Sequence, residues 1–333
     1  MVALLLLWPM KGTAQDDEVT FPLDNFYAKI KKSPRSIFRN FRFSFSTGYG
    51  NTFMSHQLEG FGVYQPAGGG YPAIFLNSAT PGTMYSNWVN NIAIDKRTIK
   101  PGSFYATSDT TKLGFKGNAM NIPLQVSLHY EFKGKYRIGG GYSYEYMSIG
   151  AMHPTHYTDK ISSFQVPAPS GWMSKYYAIF GASFYRLGNY LFTGDLQVGG
   201  FSPGANFNPA VVTPGMYFNF GVTIERELSE YLRLFVRPSY DLKSYTLALP
   251  EGGISLTHHM NALYLNVGFS YSIPELPKCK IPGCRIQINH AHGDREYRSN
   301  VHPIYKKQNP QYGENHPNLI KYKGKNKRKL NPY

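Results

Sequence analysis

Eight short segments between residues 41 and 273 alternate apolar and polar residues, and this alternation constrains the fold more than any other feature of the sequence. In residues 216–225 every even position is apolar, and the odd positions are Tyr, Asn, Gly, Thr and Glu. Successive side chains of a β-strand point to opposite faces, so each segment has one apolar and one polar face. Strands of about ten residues that alternate in this way and are rich in Tyr and Phe are typical of transmembrane β-barrels.

The composition agrees with an all-β membrane protein. The 333 residues include 27 Tyr and 22 Phe, and such rings populate both membrane interfaces of a barrel. Mean hydropathy is −0.36, and no apolar run reaches the roughly 18 residues that a transmembrane helix needs. These values exclude a helical membrane protein.

The spacing of the segments predicts an eight-stranded antiparallel transmembrane β-barrel over residues 41–273. The predicted strands are 41–57, 118–132, 136–148, 172–186, 190–202, 215–227, 231–245 and 257–273. The connections 133–135, 187–189 and 228–230 are tight, whereas the others are longer and 58–117 is the longest. Short turns on one side and long loops on the other match periplasmic turns and extracellular loops, with both chain ends in the periplasm.

The N-terminus predicts export. Residues 2–8 are apolar but too few to span a bilayer, and the small residues 12–14 follow. This pattern indicates a signal peptide over residues 1–14, followed by a periplasmic segment over 15–40. An export signal before barrel strands predicts the outer membrane of a Gram-negative cell, with outer-membrane lipid around the barrel.

The last predicted strand carries a local motif. Residues 266–273, NVGFSYSI, have a polar residue, Gly268, aromatic residues and a terminal apolar residue. In this respect the chain resembles the small eight-stranded outer-membrane barrels of Bacteroidetes-type envelopes, in which such a strand is recognised during barrel assembly. Barrels of that kind usually end at this strand, whereas this chain continues for 60 residues.

The polar face of the predicted strands carries six cations and five anions. They are Arg42, Glu131, Arg137, Glu145, Lys175, Asp195, Glu225, Arg233, Arg237, Asp241 and Lys243. An eight-stranded barrel is only wide enough for side chains to fill it, and buried charges must be paired. The near balance therefore predicts ion pairs that plug the lumen; an ion or proton path along the carboxylates is the alternative.

One motif is relevant to whether the protein is an enzyme. His258-His259-Met260-Asn261 is similar to the His-x-Ser-Asn motif of the lipid A deacylase barrels, in which Ser is the nucleophile. Met260 stands in the nucleophile's place, so no catalytic residue carries over. We expect no cofactor, and we expect His258 and His259 to be polar residues at the membrane interface.

Residues 274–333 form a basic tail that is rich in Pro and Tyr. Nine Lys and four Arg oppose four acidic residues, a net charge of +9 out of +15 for the chain. Such segments do not form a core by themselves, and the sequence predicts a largely irregular periplasmic tail that orders on a partner. We expect envelope proteins or anionic lipid, and no nucleic acid, as partners. The predicted contact residues are Tyr305, Tyr312, Lys325, Lys327, Arg328 and Lys329.

Both cysteines of the chain, Cys279 and Cys284, lie at the start of this tail. A periplasmic address favours a disulfide across the intervening Pro-Gly turn. With His290 and His292 the same cysteines form a Cys-x4-Cys-x5-His-x-His pattern, which offers four ligands of the zinc type. Free thiols are the third alternative.

Together these patterns predict a non-enzymatic outer-membrane barrel that anchors or assists an envelope complex through its tail. The complex would act in secretion, gliding or barrel assembly. A lipid A-modifying enzyme and a narrow channel are the alternatives.

Overall fold

The computed structural model describes residues 38–77, 83–109, 111–229, 231–250, 253–274, 276–284, 286, 290–292 and 295–299. The predicted signal peptide 1–14, nearly all of the segment 15–40 and the distal tail 300–333 lie outside the described residues. No helix among the described residues is long and apolar enough to cross a membrane.

The described residues form seventeen β-strands. They are β1 (Phe41–Gln57), β2 (Phe61–Gln65), β3 (Ala73–Leu76), β4 (Met84–Ser86), β5 (Ala93–Asp95), β6 (Phe104–Thr107), β7 (Gly114–Phe132), β8 (Tyr136–Ile149), β9 (Ala151–Pro154), β10 (Phe164–Gln165), β11 (Ser170–Leu187), β12 (Tyr190–Ser202), β13 (Val212–Glu227), β14 (Leu232–Ala248), β15 (Ser255–Ser272), β16 (His290–His292) and β17 (Arg295–Tyr297).

Eight long antiparallel strands close into a barrel. The order around the ring is β1, β7, β8, β11, β12, β13, β14 and β15, and β1 pairs with both β7 and β15. The predicted all-β, eight-stranded fold is therefore confirmed. At the long-loop end β7 and β13 begin earlier than predicted, where they point apolar side chains such as Phe115 and Val212 inward, and β11 also begins earlier, at Ser170. The sequence prediction expected polar residues on the inner face of each strand, so it did not detect these apolar ones.

The barrel wall is apolar outside and polar inside. On β14, Leu234 and Val236 are exposed, whereas Arg233, Phe235 and Arg237, which alternate with them, are buried. A central outer band is largely aliphatic and includes Ile122, Leu124, Val126, Leu263, Leu265 and Val267. Exposed aromatic residues lie in register with this band, Tyr49 beside Leu265 and Tyr144 beside Leu124, and others such as Phe132, Tyr136 and Tyr190 lie at the short-turn end. This inverted arrangement is that of a transmembrane barrel.

The long first loop folds into a cap at the long-loop end of the barrel. Its strands form a five-stranded sheet in the order β5, β4, β3, β2, β6. Trp88 is buried, with ring centroids 5.6 Å from Phe115 and 4.9 Å from Phe164, and its indole N–H donates to His56 Nε2 at 3.2 Å. The cap and the barrel end therefore share one hydrophobic core.

Both chain ends leave the barrel beside the short turns. Arg42 at the start of β1 lies opposite Ser272 at the end of β15, and the Ser272 N–H donates to the Tyr231 carbonyl at 2.8 Å. The tail then forms the short hairpin β16–β17. Sequence patterns predicted a largely irregular tail, and this hairpin is the ordered element that they missed.

Candidate functional site

The barrel interior is a candidate site because it collects charged residues in three layers. The layer nearest the short turns joins Arg42, Glu131, Arg137, Glu225 and Arg233. Arg42 Nε lies 2.8 Å from Glu131 Oε2, and Arg137 Nη1 lies 2.9 Å from Glu225 Oε1. Arg233 Nη1 bridges the two carboxylates at 2.8 Å and 3.0 Å. Every carboxylate of this layer thus has at least two cationic partners.

The second layer is centred on Arg237. Its Nε donates to Asp195 Oδ1 at 2.8 Å, and its Nη2 donates to Asp195 and to Asn219. The Thr223 hydroxyl donates to the other oxygen of Asp195 at 2.6 Å. Hydrogen bonds to both carboxylate oxygens hold the anion opposite the guanidinium. The void that remains among the lining side chains has a volume of only about 40 Å³.

The third layer lies nearest the cap and is centred on Lys175. Its ammonium is 2.7 Å from Glu145 Oε2 and 2.8 Å from Asp241 Oδ2. Lys243 Nζ lies 3.5 Å from the same Asp241 oxygen, and the Tyr264 hydroxyl donates to Glu145 at 2.5 Å. Lys175 is only 1% exposed, so the cluster is buried, and its two cations and two anions balance each other in formal charge.

All eleven lumen residues predicted from the sequence lie inside the barrel, and each makes an ion pair within 4 Å. Sequence reasoning missed Glu227, which lies 3.2 Å from Arg233 Nη2. Glu227 has the inward parity of Glu225 but ends its strand, so the alternation was a weak signal there.

Above the third layer the interior becomes apolar and aromatic. His258 is buried, stacks on Tyr245 with ring centroids 4.7 Å apart, and lies 4.6 Å from the His56 ring. The expectation that His258 is an interfacial residue is therefore wrong, because its position in β15 has inward parity. His259 is exposed, and Met260, in the position of the nucleophile, is buried.

A second candidate site lies in the tail. Cys279, Cys284, His290 and His292 each offer one ligand atom, and these four atoms all lie within 4.8 Å of one another. The two cysteines are not joined in the structure, Cys284 Sγ lies 3.2 Å from His290 Nε2, and the disulfide stays a prediction. The structure thus brings together the residues of the zinc-type pattern.

The remaining predicted residues, which would contact a partner, lie outside the described part of the chain. They are Tyr305, Tyr312, Lys325, Lys327, Arg328 and Lys329.

These features define a closed, eight-stranded transmembrane β-barrel with a filled interior, a cap at one end and the described start of the C-terminal segment at the other. No protein-family model matches the chain, and no curated protein matches its sequence.

Among solved structures, this chain is distantly similar to several outer-membrane barrels. The outer membrane protease OmpT from Escherichia coli is 12% identical with a TM-score of 0.31, covering 74% of this chain and 100% of that one. OprG from Pseudomonas aeruginosa is 8% identical with a TM-score of 0.34, covering 70% and 95%. The beta domain of the Bordetella autotransporter BrkA is 9% identical with a TM-score of 0.25, covering 70% and 99%. At this level of similarity no activity passes from them to this chain, and the Bacteroidetes-type resemblance stays a prediction.

Proposed function

We propose that this protein is a non-enzymatic outer-membrane barrel that anchors its basic tail beside an envelope complex. The observation that carries the proposal is the filled interior. Three layers of ion pairs and an aromatic core follow one another from the short turns to the cap. A barrel filled in this way offers no route for a solute, so its function lies at its ends or on its wall.

The geometry around the deacylase-like segment disfavours an enzyme. Met260 cannot be acylated, and His258 is buried against Tyr245 and His56, away from the lipid face. The outer wall has an apolar groove of about 630 Å³ between β1, β7, β8 and β15. Its lining contains no His, Asp, Glu, Lys or Arg to act as an acid or a base.

The distal tail is the best candidate for the contact. Residues 300–333 include seven Lys and one Arg against one Glu. The described start of the tail leaves the barrel beside the short turns, so the distal tail follows on from that end. With short turns facing the periplasm, as in outer-membrane barrels, this charge would meet acidic protein surfaces or lipid phosphates.

Two truncations of the full-length protein test the proposal. Ending the chain after Ser299 removes only the distal tail, and ending it after Ile273 removes the whole tail. Both variants should insert and keep heat-modifiable migration on gels, and both should lose the proteins that co-purify from native membranes.

Substituting Lys325, Lys327, Arg328 and Lys329 by Gln should weaken the association and reduce its salt dependence. A matched control substitutes four exposed lysines near the two ends of the barrel, Lys112, Lys116, Lys133 and Lys135, by Gln.

If the chain ending at Ser299 retained every partner and complemented a deletion strain, the distal tail would not be the anchor point.

The channel alternative has its own test. Planar-bilayer recordings of the intact protein should stay at background, because paired charges fill the cross-section. Stable, ion-selective openings would favour the channel.

A further inference from the structure

The first part of the tail contains two small elements that face each other, and the guanidinium carbon of Arg298 lies 6.0 Å from the centre of the Tyr231 ring beside the last short turn. One is the turn between Cys279 and Cys284, and the other is the hairpin β16–β17 that carries His290 and His292. We propose that these four residues bind one zinc ion, which fixes the start of the tail at this end of the barrel. This site is independent of the anchoring role proposed above.

The turn brings the two cysteines to the same place. The Cys284 N–H donates to the Ile281 carbonyl at 3.3 Å, and Gly283 has a φ of +77°. Pro282 followed by a glycine of positive φ is the sequence of a type II turn, which reverses the chain within four residues. Cys284 is thereby directed back along the segment that starts with Cys279.

The hairpin presents both imidazoles on one face. His290 pairs with Tyr297 and His292 with Arg295, and alternate residues of a strand point the same way. The two rings lie 4.7 Å apart between centroids. The Cys279 N–H donates to the Arg298 carbonyl at 2.9 Å, and the Arg298 N–H donates to the Pro277 carbonyl at 2.9 Å. These two bonds hold the turn against the hairpin.

The donor set selects zinc. Two thiolates and two imidazoles are a common tetrahedral ligand set for this ion. Bond lengths of about 2.3 Å to sulfur and 2.0 Å to nitrogen place tetrahedral ligand atoms roughly 3.3–3.8 Å apart. The observed upper limit of 4.8 Å is within a small side-chain adjustment of that geometry. On binding, each thiol releases its proton to solvent, and the two sulfur anions neutralise the +2 charge of the zinc ion without any redox step.

The site would be structural. Four protein ligands complete the coordination and leave no open position for a substrate. In the described part of residues 276–299, Cys279 is the only buried apolar side chain, so hydrophobic burial contributes little to the order of this segment. A bound metal supplies folding free energy that such a small element lacks.

The test measures metal in the full-length protein purified in detergent from outer membranes of cells grown with zinc. Elemental analysis should find about one zinc per chain, and a Cys279→Ser/Cys284→Ser double variant or His292→Asn should lose most of it. The control is His153→Gln/His156→Gln, which removes two exposed histidines at the opposite end of the barrel. This control should keep its zinc.

A second measurement does not depend on any variant. Replacing zinc by cobalt in the wild-type protein should give the visible ligand-field and thiolate charge-transfer bands of a tetrahedral site. A strong chelator should increase proteolysis within residues 276–299 and leave the heat-modifiability of the barrel unchanged. The proposal is overturned if the wild-type protein contains no zinc and gives no such bands with cobalt, if its intact mass shows a Cys279–Cys284 disulfide, or if the cysteine double variant retains its metal. None of these outcomes bears on whether truncation after Ser299 removes partners.

Discussion

Removing the charge of Lys175 is the strongest test of the filled interior. In Lys175→Met the side chain keeps most of its volume, but Glu145 and Asp241 lose the ammonium that lies 2.7 Å and 2.8 Å from them. Each attraction amounts to roughly 6 kcal/mol at an effective dielectric constant of about 20. Desolvation of the three groups offsets most of this, and measured losses on breaking buried pairs are about 3–5 kcal/mol. We expect a loss of that size in the free energy of unfolding.

A second substitution separates charge balance from packing. In Lys175→Met/Glu145→Gln, the pair of Lys243 and Asp241 remains and the cluster is neutral again. The double variant should be more stable than Lys175→Met by about 2 kcal/mol or more, because residues of one ion-pair network are energetically coupled. Urea titration of the barrel folded into vesicles measures the free energies of unfolding of both variants, and heat-modifiable migration on gels reports the folded fraction. Lys160→Met, at an exposed lysine of the cap side, should change stability by less than about 0.5 kcal/mol. A single variant as stable as wild type, or a double variant no better than the single, would refute the paired-charge account.

Three further variants test the wall and the cap. Leu234→Arg places a charge on the lipid face and should impair insertion by about 2–4 kcal/mol near the midplane, measured as folding into vesicles, whereas Tyr105→Arg on the exposed surface of the cap should not. Trp88→Ala empties the space that the indole occupies against Phe115 and Phe164. This variant should weaken cap docking by about 3–5 kcal/mol and speed protease cleavage at residues 66–70. Tyr71→Ala, at an exposed residue of the cap, is its control. Replacing residues 59–112 by a short linker should leave bilayer conductance at background, because the charged layers remain; large openings would mean that the cap closes the lumen.

The barrel could be predicted from the sequence because two simple constraints act on every strand. Alternation with a period of two separates lipid-facing from lumen-facing residues, and the narrow lumen requires charges to be balanced. Those constraints located Arg233, Arg237 and their partners. They failed at His258, because its inward neighbours Met260 and Ala262 are apolar while the outward residues Thr257 and His259 are polar, so polarity does not mark the lumen face in this part of β15.

The cap and the tail cluster follow from contacts that a pattern does not record. The cap strands are only three to five residues long, too short to alternate recognisably, and they are stabilised by insertion of Trp88 into a core built from distant strands. The four zinc-type residues were visible in the sequence. Their convergence depends on the turn at Gly283 and on the bond between Cys279 and Arg298, which spacing alone does not reveal.

A filled barrel with a basic tail implies that the two parts have separable roles, and a chimera tests this. Residues 274–333 would be joined to the last strand of an unrelated eight-stranded outer-membrane barrel whose ends both face the periplasm. If the native barrel serves only to insert and to position the tail, the chimera should co-purify with the same envelope proteins. Added salt should weaken this association to the same extent as it does for the native protein. A chimera carrying the four Lys and Arg substitutions at 325, 327, 328 and 329 is the matched control and should bind less. If the chimera inserts but captures none of these proteins, while truncation after Ser299 does release them from the native protein, then the cap or the outer wall must contribute to the contact. The apolar groove between β1, β7, β8 and β15 would be the next surface to mutate, because it is a concave surface of about 630 Å³ on the lipid side of the described barrel.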